Sequence, residues 1–200
     1  MAAIELPASL SWARPNDALL LRICRTKYAK DEPSFRATGT GRFDDPDCKF
    51  GTLYCAADFH TCYAETLLRE TAFNIATRQY EVSKTEHDAR SLTVVVADLL
   101  NMRLVDLFGE GISAMGLNSA IGLSAYDITQ ALATALFHHG EQPHGIVYRS
   151  RFGPHDKPAI VFFDRARAHL RLFPGAKTTP LNKLRETFDA LTQTRNVALL

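Results

Sequence analysis

The chain has 200 residues, of which 46% are apolar and 22% charged, and its formal net charge is +1 at pH 7. These values are ordinary for a globular protein of one domain, and they exclude an intrinsically disordered or fibrous chain. A net charge so close to zero gives no overall field toward nucleic acid or a membrane surface, so we expect neither as a direct partner.

The longest apolar run, SLTVVVADLL, is too short to span a bilayer. The N-terminal segment has acids and a proline where a signal peptide has a basic end and a long apolar stretch, so we expect a cytoplasmic protein. The four cysteines form no CxxC pair, and we interpret them as free thiols of a reducing compartment.

The first predicted strand is ALLLRICR, residues 18–25, which has a basic end. Residues 30–51 follow without clear periodicity and contain several Gly and Pro residues, a pattern that indicates a functional loop. TLYCA, residues 52–56, has the composition of a second strand.

A helix is predicted after this strand, capped by Asp58 or Thr61 and extending to about Phe73. The Val-rich stretch 80–100 predicts one or two strands, and a loop is expected near Gly109 and Gly111.

In the second half of the chain, residues 125–140 read as a helix with Asp127 near its start and Gly140 just past its end. GIVYRS and AIVFFD are predicted strands separated by the turn RFGPHDKP, and a last amphipathic helix is expected to begin near Pro180. Strands and helices interleave without a regular βαβ alternation. We therefore expect an α+β fold with a mixed or antiparallel sheet.

No repeat or linker divides the chain, so residues 1–200 are expected to form a single domain with a core at about 19–165. The remainder, 166–200, is interpreted as a helical tail. It is part of a basic stretch, because residues 164–200 contain seven Lys or Arg against three Asp or Glu.

Sequence motifs for a metal or a nucleotide phosphate are weak. The seven histidines include no HExxH and no Cys/His pair at zinc spacing, and we expect no metal. The loop ATGTGRF, residues 37–43, matches neither GxGxxG nor GxxxxGK[ST] and reads as a plain turn. Arg42 directly follows a glycine in this loop, where its guanidinium could clamp a phosphate.

Glu65 has two interpretations. Arg69 lies one helical turn further on and could form a local ion pair with it. The helix is otherwise mostly apolar, however, so Glu65 is expected to be partly shielded from water, and a shielded carboxylate needs partners. Three further residues also have structural interpretations. Tyr54 could be a core aromatic, Arg22 a cation at a strand end and Ser150 a turn residue. They matter together only if the fold brings them into one cleft.

The chain resembles the RES-domain family, bacterial toxins named for an Arg, a Glu and a Ser and usually encoded beside an Xre-type antitoxin. The resemblance covers about residues 19–165 and rests on the order and spacing of several segments: LLRICR, GTGRF, GTLYCAADFHTCYAET, YDITQALATALFHHGEQPHGIVYRSR and PAIVFFD. In the loop this chain has Gly-Arg-Phe-Asp at 41–44, where many members have Gly-Arg-Trp-Asn.

The resemblance implies a set of site residues: Arg22, Glu65 and Ser150 for the name-giving Arg, Glu and Ser, Arg42 for the loop arginine and Tyr54 for the strand tyrosine. Arg25 is close enough to Arg22 to be the alternative site arginine. The family also implies an ADP-ribosyltransferase-like fold, a split mixed sheet with NAD in its cleft. The implied activity is NAD consumption by hydrolysis or phosphorolysis, or ADP-ribosyl transfer in some members.

These residue types suit the cleavage of the nicotinamide–ribose bond, which passes through a sugar cation like that of glycosidases. Glu65 could stabilise this cation, and Tyr54 could stack on the nicotinamide. Arg22 and Arg42 suit the pyrophosphate or an incoming inorganic phosphate, and Ser150 could hydrogen-bond the ribose or the amide. Nicotinamide leaves as a neutral molecule, so no strong general acid is required.

Three functions remain open from the sequence. The first is an NAD-degrading toxin, neutralised by an antitoxin protein. The second is an ADP-ribosyltransferase that modifies a protein, and the third is a non-catalytic interaction module that uses the basic C-terminal segment. The sequence leaves open whether the chain forms a homodimer.

Overall fold

The computed structural model describes residues 4–16, 18–29, 33–117, 125–150 and 157–200. The first half of the chain forms, in order, β1 (Trp12–Ala13), β2 (Leu19–Arg25), β3 (Thr52–Ala56), α1 (Phe59–Thr66), β4 (Phe73–Asn74), β5 (Gln79–Val82), α2 (Lys84–Asp88) and β6 (Arg90–Ala97). The second half forms β7 (Leu104–Leu107), α3 (Gly111–Ala114), α4 (Tyr126–Phe137), β8 (Gly145–Arg149), β9 (Pro158–Phe163), β10 (Leu170–Leu172), β11 (Thr179–Pro180), α5 (Arg185–Arg195) and β12 (Val197–Leu199).

Within these described ranges, nine strands form one mixed sheet in the order β1-β7-β8-β9-β3-β2-β6-β10, and β11 also pairs with β6. The β7–β8 pair is parallel, and its neighbours are antiparallel. A second, smaller sheet has the order β12-β5-β4. The predicted α+β class, with a mixed sheet and flanking helices, is confirmed.

The large sheet is split between β2 and β3. Seven residue pairs join β2 to β6 and five join β3 to β9, whereas one pair, Leu21 with Ala56, joins β2 to β3. Beyond this pair the two strands are not hydrogen-bonded to each other. The residues of β2 that follow Leu21 and the residues of β3 that precede Ala56 therefore border a gap.

Helix α1 begins as the sequence predicts, because the side chain of Asp58 accepts a hydrogen bond from the Thr61 N–H at 3.0 Å. The predicted end at Phe73 is wrong, since the helix ends at Thr66. The hydroxyls of Thr66 and Thr71 bond to carbonyls four residues back, which competes with regular helix continuation. Phe73 instead lies in β4 and packs on Tyr80 of β5 with ring centroids 5.0 Å apart.

Several other predicted elements are confirmed. Helix α4 falls within the predicted range 125–140, and β8 and β9 match the two apolar runs. The turn predicted between them lies mostly at residues 151–156, outside the described residues. The stretch 80–100 contributes two strands, and the short helix α2 between them is capped by Ser83.

The expectation of a helical tail at 166–200 is corrected by the structure. This segment contains α5 but also three strands, of which β10 and β11 pair with β6 and β12 pairs in parallel with β5. Without β10 and β11 one edge of β6 would have unpaired backbone groups, so the tail completes both sheets. None of the helices in the described ranges is long and apolar enough to cross a membrane.

A buried histidine joins α2 to the helices packed beside it. His87 is 2% exposed, and its Nδ1 lies 3.1 Å from the hydroxyl of Tyr63 in α1. Its ring centroid is 4.7 Å from that of Phe188 in α5. Burial lowers the pKa of His87 below its ordinary value of 6.5, although nearby Asp88 opposes this shift.

We expect the free energy of unfolding to fall as the pH decreases from about 7.5 to about 5.5, in part because of His87. The unfolded chain binds a proton at His87 near its ordinary pKa, whereas the folded protein binds it only at lower pH. The contribution of neutral His87 to the free energy of unfolding is therefore complete above the ordinary pKa. It is lost as the pH falls through the pKa that His87 has in the folded protein. Urea unfolding of His87→Gln should show a smaller loss between the two pH values, and His138→Gln, at an exposed position, should behave like the unmodified protein. An equal pH dependence in His87→Gln would contradict this assignment.

Candidate functional site

A cavity of about 310 Å³ opens where the large sheet splits. One wall is formed by residues 22–25 of β2 and the facing wall by residues 52–54 of β3. The lining also includes the loop that contains Gly41, the C-terminal end of α1 with Glu65, and the side chains of Arg69 and Arg90. The missing strand pairing between β2 and β3 therefore produces the cavity.

The cavity is strongly cationic. Its lining includes five arginines against the two carboxylates Asp44 and Glu65: Arg22, Arg25, Arg36, Arg69 and Arg90. Guanidinium groups bind phosphates through paired N–H donors, so this lining suits a phosphorylated ligand.

Both carboxylate oxygens of Glu65 are hydrogen-bonded by hydroxyl groups. Ser150 Oγ donates to Oε1 at 2.6 Å, and the Tyr148 hydroxyl donates to Oε2 at 2.8 Å. Tyr148 lies in β8 and Ser150 directly follows that strand, so the two residues are two positions apart and can reach the same partner. The carboxylate is thereby held in one orientation at the cavity.

Tyr148 was not predicted as a site residue. Burial raises its pKa well above the ordinary value, and the negative charge of Glu65 raises it further. The hydroxyl therefore stays protonated at neutral pH and remains a donor to Glu65. Its position two residues before Ser150 in a predicted strand is the sequence signal that could have identified it.

Tyr54 is fixed by a buried carboxylate in the adjoining loop. Its hydroxyl donates to Asp44 Oδ1 at 3.0 Å and accepts from the Phe43 N–H at 2.9 Å. Asp44 also accepts hydrogen bonds from three further donors: Thr38 Oγ1, the Gly41 N–H and Thr52 Oγ1. Burial opposes the charged form of Asp44, but these hydrogen bonds outweigh it and hold the pKa below its usual value.

Gly41 allows the loop to approach this carboxylate. A Cβ atom at Gly41 would lie 2.6 Å from both Asp44 Oδ1 and the Tyr54 hydroxyl. Both atoms belong to a fixed hydrogen-bond network, so a larger residue would displace the network. Gly41, the second glycine of GTGRF, is therefore required by close packing.

Arg22 is 5% exposed and incompletely paired. Its Nη2 lies 3.3 Å from Ser34 Oγ, whereas its buried Nη1 has no hydrogen-bond partner in the described part of the chain. Arg25, the sequence alternative, is partly exposed and forms an ion pair with Glu86 at 3.1 Å. Both line the cavity, but the unsatisfied donor of Arg22 is the one that needs an acceptor.

Arg42 is the loop arginine that the sequence predicts to bind a phosphate. It is not among the described residues that line the cavity, and its guanidinium lies 5.2 Å from the ring centroid of Tyr126. The cavity thus brings together Arg22, Tyr54 and Glu65, and Ser150 joins them through Glu65. Over the ranges the structure covers, no group of three or more His, Cys, Asp or Glu could hold a metal ion.

Comparison with known proteins gives a family and a fold. The model of the RES domain matches residues 19–182. A chain of the M. tuberculosis MbcT–MbcA toxin–antitoxin complex has a similar structure, with a TM-score of 0.60 and 15% sequence identity over 84% of this chain and 87% of that chain. At this identity the likeness concerns the fold alone. No curated protein sequence matches the chain significantly.

Proposed function

Because the chain belongs to the RES-domain family, we propose that it is an enzyme that cleaves the nicotinamide–ribose bond of NAD and acts as a toxin restrained by an antitoxin. The observation that carries this proposal is the Glu65 carboxylate, held by two hydroxyls in an arginine-lined cavity. A fixed carboxylate beside phosphate-binding groups suits the stabilisation of a sugar cation attached to a pyrophosphate.

In the proposed reaction, the bond between ribose C1′ and the nicotinamide nitrogen breaks, and its electron pair passes to the nitrogen. The ring nitrogen loses its positive charge, and the ribose becomes an oxocarbenium-like cation. Glu65 stabilises this cation electrostatically and can accept a hydrogen bond from the ribose 2′-hydroxyl. Ser150 and Tyr148 keep the carboxylate in place, so little reorganisation is needed when the charge develops.

The other residues position the substrate. Tyr54 lines the cavity, and the hydrogen bond from its hydroxyl to Asp44 fixes the side chain. Its ring can therefore pack against the nicotinamide. Arg22 offers its unsatisfied Nη1–H to a phosphate oxygen. We assign this contact to Arg22 before Arg42, since the Arg42 guanidinium lies over Tyr126 and Arg42 is not among the described residues that line the cavity.

The acceptor of the ribosyl group distinguishes three forms of this activity. Water gives a glycohydrolase, inorganic phosphate gives a phosphorylase, and a protein side chain gives an ADP-ribosyltransferase. All three share the same cation and the same role for Glu65. The excess of arginines in the cavity is compatible with an additional phosphate.

An antitoxin partner follows from the toxin proposal, because an enzyme that consumes the cell's own NAD must be restrained. The fold likeness to a chain of a toxin–antitoxin complex supports such a partner. We propose an Xre-type protein that closes the cavity, in keeping with the family resemblance.

The purified protein is expected to release nicotinamide from NAD. The assay is run with and without inorganic phosphate, and the ribosyl product is identified by mass spectrometry as ADP-ribose or ADP-ribose 1″-phosphate. Labelled NAD added to a cell extract tests for a modified protein band. Expression of the chain alone in bacteria should lower cellular NAD. The proposed function would be contradicted if the protein released no nicotinamide and its expression left cellular NAD unchanged.

A further inference from the structure

A second cavity, of about 640 Å³, adjoins the first. Thr66 and Arg90 line both cavities, so the two share a wall at the end of α1 and the start of β6. The rest of the second cavity is formed by residues 81–83, by Glu86, and by Leu67, Thr71, Ala72 and Asn74. The small sheet and α2 thus enclose a space directly beside the candidate site.

We propose that this second cavity binds the adenosine half of the dinucleotide, with the pyrophosphate crossing the shared wall at Arg90. The inference rests on the proposed function for its ligand. It gives a site to the half of the substrate for which the groups around Glu65 have no assigned role.

The volumes support a ligand that extends over both cavities. Ligand pockets span roughly 300–1,000 Å³ and bury most of a drug-sized molecule. The first cavity, at about 310 Å³, is at the lower limit of this range and cannot enclose a dinucleotide. The second is about twice as large and shares Thr66 and Arg90 with the first, so an elongated ligand that crosses this wall can place its reacting half in one cavity and its other half in the next.

Arg90 has the chemistry that a bridging diphosphate needs. Its Nη2 donates to Glu86 Oε2 at 3.0 Å, whereas its buried Nε has no hydrogen-bond partner in the described chain. A buried N–H without an acceptor is costly, and a phosphate oxygen at the shared wall would satisfy it. Arg25 lies opposite Arg90 across the β2–β6 pair and shares Glu86, which keeps a second cation next to the wall.

The far wall carries a carboxylate with a free acceptor. Glu81 Oε1 accepts hydrogen bonds from Asn74 Nδ2 at 2.8 Å and from Thr77 Oγ1 at 2.9 Å. Glu81 Oε2 receives none from the residues the structure describes. A carboxylate oriented in this way suits the hydroxyls of a ribose, as the acidic residue of dinucleotide-binding folds does. The hydrogen bonds to Oε1 fix the direction of the remaining oxygen.

Filling the second cavity tests this assignment independently of catalysis. AMP is the probe, because it carries the adenosine and one phosphate but no nicotinamide, and its binding is measured by calorimetry. Ala72 is an exposed residue that lines the second cavity. Ala72→Trp is expected to weaken AMP binding by about tenfold or more, equivalent to about 1.4 kcal/mol. The same variant should raise the KM for NAD and leave kcat nearly unchanged.

Ala76→Trp is the matched control, since Ala76 is exposed in the turn between β4 and β5 but does not line the cavity. It should bind AMP as the unmodified protein does. Failure of the protein to bind AMP, or equal AMP affinity in the two tryptophan variants, would overturn the assignment. These outcomes are distinct from a failure of the proposed function, which would appear as intact AMP binding without nicotinamide release.

Discussion

Glu65→Gln is expected to lower the rate of nicotinamide release on the order of a thousandfold, with a much smaller change in the KM for NAD. Glutamine matches glutamate in size, so Ser150 and Tyr148 retain a neighbour at hydrogen-bonding distance. The negative charge that stabilises the ribosyl cation is lost, however. Because this charge is needed when the cation forms, the effect should fall mainly on kcat.

The control for this prediction is Glu186→Gln, which removes a carboxylate from an exposed position of α5. It should leave both the rate and the unfolding midpoint unchanged. Circular dichroism and a urea titration establish that Glu65→Gln is folded. A folded Glu65→Gln protein that releases nicotinamide within tenfold of the unmodified rate would remove Glu65 from the mechanism.

Asp44→Ala should reduce the free energy of unfolding by about 3 kcal/mol or more, because it removes the common acceptor of a buried network. Four donors lose this acceptor: Thr38, the Gly41 N–H, Thr52 and Tyr54. Each unsatisfied buried donor costs about 1–3 kcal/mol, although the loop can relax and expose some of them to water. For a domain of this size the loss corresponds to a fall in Tm of about 6–12 °C.

The same substitution should impair NAD cleavage at temperatures where the protein is folded, since the Tyr54 hydroxyl loses one of its two hydrogen-bond partners. Asp47→Ala is the matched control. Asp47 lies in the same loop, but its side chain is 65% exposed and pairs only with Lys49 among the described residues. Its removal should change the free energy of unfolding by less than about 0.5 kcal/mol. Equal stability of the two variants would contradict the structural role assigned to Asp44.

Local sequence patterns identified much of the secondary structure. The apolar runs of β2, β3, β8 and β9 and the helix within 125–140 were predicted because a strand or helix buried on a core is specified by residues that are neighbours in the chain. The position of Glu65 on a mostly apolar helix was also readable in this way. The resemblance to the RES-domain family came from the order of these same segments.

Patterns were less informative where the chain forms few local contacts. β10, β11 and β12 are three residues or shorter, and each is fixed by pairing with a distant strand. The helical prediction for 166–200 failed for this reason. Phe73 was assigned to the helix because its apolar side chain fits that periodicity, although its partner is Tyr80 across a hairpin.

By itself, the sequence supplied the candidate side chains Glu65, Tyr54 and Arg22, because residue types can be read whatever the fold. Only the tertiary structure decided which of them meet. The single pair that joins β2 to β3 opens the cavity, and it places Arg22 on one wall and Tyr54 on the other. The structure also brought Tyr148 to Glu65 across 83 residues of sequence and turned Arg42 toward Tyr126. Hydrogen bonds and packing between segments far apart in the chain fix these positions, and no local pattern records such contacts.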